Sequence, residues 1–210
     1  MGEFKIRASA AGKIMTNSRS KSAVLSKTTE SYLQEWLKEQ IYGVRNQVES
    51  KYLRKGIECE NDSIEVYALA TDLDFAVKNS KRFSNEYTTG EPDIILDDKV
   101  VDIKTSWDCF TFPLFEEEIP NKDYYWQLQV YMDLLGLDKA ELAYVLVNTP
   151  EEMQYSVADI TDYTSLDLKY RVKTFEIDRS QEDIDKLYQR VEECREYIKA
   201  IKTNIIPNEV

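Results

Sequence analysis

Apolar residues recur at helical spacing through the first third of the chain. They repeat every three or four residues over 32–41, and Gly43 follows as a natural helix end. The same period continues over 44–56, which predicts that the helix resumes and reaches Gly56. The residues that carry this continued period are Val44, Val48 and Tyr52. A further helix is predicted next, and three residues share one of its faces: Glu60, Ile64 and Tyr67.

The pattern changes to short strands in the middle of the chain. Three strands are predicted there, at 87–89, 93–96 and 100–105. The tight connection at 97–99 makes the last two a hairpin. Residues 122–135 then form an amphipathic helix that ends at Gly136, and the continuous apolar run at 141–148 is typical of a buried strand.

One more strand and a long helix complete the pattern. The strand is predicted at 171–177, and the helix begins at Ser180 with Asp183 three residues on, a variant of the capping box. This order predicts an α/β fold with a mixed central β-sheet flanked by helices. We expect one domain over 1–210, with a mostly helical part at 1–85, a β-β-β-α-β core at 86–150 and a C-terminal strand and helix at 151–210.

Composition narrows the possible chemistry. The 210 residues are 42% hydrophobic and 31% charged, as in a soluble globular chain. No apolar run reaches the roughly 20 residues that span a bilayer, so we expect a cytoplasmic protein without membrane contact. Cys59, Cys109 and Cys194 are isolated in sequence, so we expect no disulfide, zinc site or iron–sulfur cluster. The chain contains no histidine, which leaves carboxylates, Lys, Tyr, Ser or an oxygen-bound divalent ion for catalysis.

Two charged residues interrupt the apolar strand at 100–105. Asp102 and Lys104 are two residues apart, so their side chains project from the same face. Across the hairpin, Asp93 follows Pro92, and the strand register can bring it next to Asp102. Two carboxylates held close together repel unless they share a proton or a cation. We therefore predict a divalent metal between them; the alternative is that Lys104 is only a structural counter-ion.

These residues resemble the motif of the PD-(D/E)xK nucleases. The segment "EPDIIL" (91–96) followed by "VVDIK" (100–104) matches it, including the literal Pro-Asp pair. In this chain Asp102 stands where lambda-type members usually have Glu. Gln127 and Tyr131, four residues apart, resemble the helix after the strands in exonucleases of this superfamily, although Gln129 competes with Gln127 for this position.

Two further segments narrow the resemblance to lambda-type phage recombination exonucleases. "KGIECENDSIEVY" (55–67) looks like their upstream Gly-x-x-x-Glu helix, which places an additional metal ligand at Glu60; Glu58 is the competing acid. "IRASAAGKIM" (6–15) also looks like the N-terminal segment of that group.

The resemblance implies a restriction-endonuclease-like core and a metal-dependent DNA exonuclease, acting from 5′ to 3′ on double-stranded ends in phage-type recombination. The cofactor would be Mg²⁺, with Mn²⁺ as a substitute. The implied metal ligands are Glu60, Asp93, Asp102 and the backbone carbonyl of Ile103. Lys104 would orient or deprotonate the attacking water. Gln127 would position the nucleophile or a terminal phosphate, with Tyr131 beside it.

The net charge of −12 argues against binding DNA, but the charge is unevenly spread. Residues 1–27 carry six basic residues and one acid, and a second basic cluster precedes Glu60. We expect four of these residues to contact DNA: Arg19, Lys21, Arg54 and Lys55. Simple solubilising charges are the alternative. The resemblance also implies a homo-oligomer and a strand-annealing or single-strand-binding protein as partner.

Three other functions stay open at this point. They are a structure-specific or restriction-like endonuclease, a non-catalytic DNA-binding module of the same fold, and an acidic protein-interaction domain. The last leaves the basic N-terminal segment and the acid pair unexplained.

Overall fold

The computed structural model describes residues 2–46, 49–74, 76–157 and 161–205. The helices are α1 (Ala11–Ile14), α2 (Lys27–Tyr42), α3 (Lys51–Glu58), α4 (Glu60–Ala70), α5 (Lys122–Leu135) and α6 (Gln181–Ile205). The strands are β1 (Ile6–Arg7), β2 (Phe83–Ser84), β3 (Thr88–Gly90), β4 (Ile94–Ile95), β5 (Lys99–Thr105), β6 (Lys139–Val145) and β7 (Val172–Asp178). No helix in these ranges is long and apolar enough to cross a membrane.

The central sheet has four strands in the order β4-β5-β6-β7. β4 and β5 form the predicted antiparallel hairpin, β6 runs parallel to β5, and β7 runs antiparallel to β6. Helix α5 packs on the face that carries Val100, and helix α4 packs on the opposite face, against Val101 and Ile103. The predicted α/β fold with a mixed central sheet is confirmed.

A smaller sheet with the order β1-β3-β2 completes the core. β1 pairs in parallel with β3 through Ile6 and Thr88, and β2 pairs with β3 in the antiparallel sense. Strands β1 and β2 are two residues each, too short to produce a periodic pattern in the sequence. This sheet, helices α1, α2, α5 and α6 and one face of the central sheet enclose the main apolar cluster.

The predicted resumption of helix over 44–56 is confirmed for 51–56 and wrong for 44–46 and 49–50. Gly43 adopts a left-handed conformation with φ of 67°, and its N–H donates to the Glu39 carbonyl, which ends the helix. Residues 44–46 and 49–50 are not helical, and Val48 lies outside the described residues. A new helix begins after Ser50, whose side chain accepts a hydrogen bond from Leu53 N–H, and α3 runs through Gly56.

Candidate active site

The hairpin register brings Asp93 and Asp102 together. Ile94 pairs with Val101, so Asp93 lies opposite Asp102 where the β4 ladder ends. Asp93 Oδ2 accepts a hydrogen bond of 2.7 Å from the Ile103 N–H. Since the N–H and C=O of one residue in an extended strand point to the same edge, the Ile103 carbonyl also lies on the Asp93 side.

Lys104 projects from the same face of β5 as Asp102. Its Nζ lies 2.5 Å from Asp102 Oδ2, and it donates a longer hydrogen bond of 3.4 Å to Gln127 Oε1. The side chain of Asp102 is 2% exposed and that of Lys104 is 21% exposed, so the ion pair opens to solvent on the lysine side. Burial lowers the pKa of the Lys104 ammonium, but the charges of Asp102 and Asp93 outweigh this effect and raise the net pKa.

A chain of hydrogen bonds runs from Lys104 through helix α5. Gln127 Nε2 donates 2.9 Å hydrogen bonds to both Asp102 Oδ1 and the Tyr131 hydroxyl. Tyr131 in turn donates to the Glu91 carbonyl at 3.2 Å. Each donor has an acceptor, so the amide orientation of Gln127 follows from the network.

Helix α5 positions these groups because of its own boundaries. Asn121 caps its start by accepting from the Asp123 N–H, and Gly136 ends it with φ of 67°. Gln127 and Tyr131 are one turn apart and therefore face the sheet together. The Tyr131 ring passes directly over Gly90, where an added Cβ would meet Tyr131 Cε1 at 2.7 Å. Only glycine at position 90 allows this contact.

Glu60 lies near the acid pair but is held by another residue. It is the first residue of α4, and its Oε2 forms a 2.7 Å ion pair with Lys78. Its charge contributes to the raised pKa of Asp93. The competing acid, Glu58, is exposed and pairs with Arg54, while the competing Gln129 bonds to the Asp178 carbonyl and the Ser180 N–H.

The electrostatics of the pair fit a bound cation. Burial and the charge of Asp102 raise the pKa of Asp93 to about 7. Asp102 Oδ2 is buried, and its partner among the described residues is the Lys104 ammonium. Mg²⁺ is commonly held by one or two carboxylates together with water and substrate phosphate, so these two acids suit it. No cluster of three acidic or cysteine side chains suited to a metal occurs within the described ranges, so Glu60 does not yet complete the site.

The predicted DNA contact at Lys55 is wrong. Its side chain is fully buried, and its ammonium donates to the Trp107 and Val147 carbonyls and to Thr149 Oγ1 at 2.7 to 3.1 Å. A buried ammonium needs such partners, and it cannot reach a phosphate at the surface. Lys55 instead joins α3 to the chain segments that follow β5 and β6.

The other three predicted DNA contacts lie on the surface. Arg19 and Lys21 are exposed in the connection between α1 and α2. Arg54 is half exposed and lines a groove of about 1000 Å³ between α2 and α3, with four more basic residues: Arg7, Lys13, Arg45 and Lys51. The groove also contains acids, including Glu35 and Glu39, and none of the catalytic candidates lines it.

Two residues at the site had not been predicted from the sequence. The ring of Tyr124 lies 4.6 Å from Lys104 Nζ, and Lys78 pairs with Glu60. Tyr124 is three residues before Gln127, so helical spacing could have identified it. Lys78 carries no comparable signal, because its position depends on a bridge between Lys78 and Ile94 that no local pattern predicts.

Comparison with known proteins identifies the class of the fold. No protein-family model matches the chain, and no curated protein matches it significantly. Among solved structures, it is similar to a phage-related exonuclease from Haemophilus somnus 129PT, with a TM-score of 0.86 and 29% identity over 97% of each chain. It is also similar to the alkaline exonuclease LHK-Exo from Laribacter hongkongensis, with a TM-score of 0.67 and 16% identity over 96% of this chain and 93% of that one. The complex of LHK-Exo with dAMP gives a TM-score of 0.68 at 17% identity.

The fold is therefore the one found in these exonuclease structures. The expected resemblance to phage exonucleases is confirmed, since the chain shares its fold with a phage-related exonuclease and with an alkaline exonuclease. The roles of the individual site residues stay predictions.

Proposed function

We propose that this protein is a metal-dependent DNA exonuclease. The observation that carries the proposal is the pairing of Asp93 with Asp102 beside Lys104, because two such acids repel each other unless they share a proton or a cation. The phage-related exonuclease, which matches over nearly the whole chain, supports the same activity.

Asp93, Asp102 and the Ile103 carbonyl would hold Mg²⁺, for which Mn²⁺ could substitute. Glu60 would become a further ligand once its ion pair with Lys78 is broken. The ion would neutralise charge on the scissile phosphate and on the leaving oxygen. A bound ion would in turn favour the ionised form of Asp93, whose pKa is raised by burial and by the charge of Asp102.

Lys104 would act as a cation. Without a metal ion, the charges of Asp102 and Asp93 raise the pKa of Lys104 and so favour the ammonium form. The ammonium can orient the attacking water and stabilise negative charge that develops on the phosphate. Gln127 forms hydrogen bonds with both Asp102 and Lys104, and Tyr131 holds Gln127 in turn. Helix α5 would therefore keep the two strand side chains in the orientation that the substrate needs.

The substrate would be double-stranded DNA, degraded from 5′ ends in phage-type recombination. The lambda-type resemblance supports this polarity, and the LHK-Exo complex with dAMP supports a nucleotide as the product. Arg19, Lys21 and Arg54 would contact the DNA backbone. A homo-oligomer and a strand-annealing or single-strand-binding partner belong to the same proposal.

One assay tests the activity. The protein is incubated with Mg²⁺ and two substrates, a linear DNA and a covalently closed circle. The linear DNA carries a label at either its 5′ or its 3′ end, and the lengths of the products are followed over time. We expect mononucleotides from the linear substrate alone, with the 5′ label released first. Cleavage of the circle would indicate an endonuclease instead, and two unchanged substrates would indicate a DNA-binding module.

A further inference from the structure

The Lys104 ammonium has an aromatic neighbour in addition to Asp102. The ring centroid of Tyr124 lies 4.6 Å from Nζ, which is within the range of a cation–π contact. Tyr124 and Gln127 are three residues apart on α5, so both face β5 and contact the same ammonium. Lys104 is thus held from three sides, by a carboxylate, an amide oxygen and an aromatic face.

The position of the Tyr124 ring is itself fixed by packing. It meets Tyr144 of β6 edge to face, with centroids 6.3 Å apart, and Tyr144 meets Phe175 of β7 in the same manner at 6.1 Å. The Tyr124 hydroxyl makes no hydrogen bond to any residue that the structure describes. Its contribution to the site therefore comes from the ring and not from the hydroxyl.

We propose that Tyr124 is a positioning residue for the Lys104 ammonium, an inference that rests on the proposed nuclease function. Lysine has a flexible side chain of four methylene groups, and its ammonium is a point charge without a fixed direction. A divalent ion bound by Asp102 would neutralise part of the carboxylate charge and so weaken its attraction for the ammonium. The Tyr124 ring and Gln127 Oε1 then keep the ammonium beside the reacting phosphate.

Substitutions of Tyr124 test this role by kinetics. We expect Tyr124→Leu to lower kcat about tenfold and leave KM within about twofold, because the ammonium is misplaced in the transition state while DNA binding is intact. Tyr124→Phe keeps the ring and should retain near-normal kcat. The matched control is Tyr125→Leu: Tyr125 is the next residue of the same helix, but its hydroxyl bonds to Asp183, away from the site.

A spectroscopic measurement tests the same role without any turnover. In protein labelled with ¹³C-lysine, the Lys104 ε-methylene signal should be shifted upfield by the Tyr124 ring current, and Lys104→Arg identifies the signal by its loss. We expect Tyr124→Leu to abolish the shift, and Tyr124→Phe and Tyr125→Leu to keep it. A purely structural role of Tyr124 would not move this signal selectively.

If Tyr124→Leu does not fold, 3,4,5-trifluorophenylalanine at position 124 keeps the ring's shape but weakens its negative face, and a smaller fall in kcat is expected. A wild-type kcat in a folded Tyr124→Leu protein would overturn the inference, as would a Lys104 signal that keeps its upfield shift in that variant. Tyr124→Phe failing as severely as Tyr124→Leu would also overturn it. If the wild-type protein does not cleave DNA, the proposed function fails, and the lysine signal still decides whether the ring positions Lys104.

Discussion

Asp93 and Asp102 are two acids on one hairpin, and Lys104 is the more exposed cation that pairs with Asp102. If they form one catalytic unit, Asp93→Ala, Asp102→Ala and Lys104→Ala should each lower Mg²⁺-dependent cleavage by about 100-fold or more, since the ion and the oriented water fail together. Cleavage rates on linear DNA measure this. Asp98→Ala, an exposed acid at the turn of the same hairpin, is the control and should stay near wild type. A Asp102→Ala enzyme with near-normal rates would refute the assignment.

The acid pair also predicts a dependence of stability on pH. Burial and Asp102 raise the pKa of Asp93 from 3.8 to about 7, so the folded protein holds a proton that the unfolded chain releases near its ordinary pKa. The stability that this proton contributes is present below the unfolded pKa and is lost as pH rises through the folded pKa. In EDTA, we expect the thermal midpoint to fall between about pH 4 and about pH 7. Asp93→Asn should flatten this slope, while Asp97→Asn, at the exposed turn, should leave it unchanged.

At the scale of elements, the break between α3 and α4 separates two glutamates that are close in sequence. Glu58 ends α3 and pairs with Arg54, whereas Glu60 begins α4 beside the acid pair. Glu60→Gln should therefore lower the cleavage rate about tenfold or more, and Glu58→Gln should change it little. Parallel rate measurements on both variants decide the point. Equal effects would mean that the upstream motif has been misplaced.

The buried Lys55 joins helix α3 to the ends of two central strands. Lys55→Met would leave the Trp107 and Val147 carbonyls without their charged donor, so we expect a loss of about 2–4 kcal/mol in the free energy of unfolding. Urea denaturation measures this loss. Lys51→Met, one turn earlier and exposed, removes only a surface contact with the Trp107 ring and should cost at most about 1 kcal/mol. Similar losses in both variants would contradict a structural role specific to Lys55.

The elements also show what the sequence could and could not predict. The β4–β5 hairpin and α5 were predictable because a tight turn, apolar spacing and a closing glycine lie within a few residues of one another. The juxtaposition of Asp93 and Asp102 followed from the same local register. The burial of Lys55 did not, because its acceptors lie 52 to 94 residues away in the chain. The charge of Lys55 predicts a surface position, but its hydrogen bonds to distant parts of the chain bury it.

At the scale of the whole molecule, the proposed function requires an acidic protein to bind a polyanion on a limited part of its surface. Lys and Arg release counterions from DNA, so Arg19→Gln, Lys21→Gln and Arg54→Gln together should weaken binding and reduce the salt slope. Affinity is measured across a salt series with Ca²⁺ in place of Mg²⁺, which suppresses cleavage. The matched control removes three exposed lysines from elsewhere on the molecule: Lys139, Lys186 and Lys199. If both triple variants bind alike, DNA must contact another surface, such as that around Lys78, Lys81 and Arg82.

The contact between Gly90 and Tyr131 has a consequence for how sequences of this kind can diverge. Even a methyl group at position 90 would collide with the aromatic ring, and that ring orients the amide of Gln127. A lineage could acquire a side chain at position 90 only after residue 131 had become smaller. The protein with the smaller residue at 131 would lose the hydroxyl that accepts a hydrogen bond from Gln127. We therefore expect positions 90 and 131 to covary among descendants of a common ancestor, although 41 residues separate them in the chain.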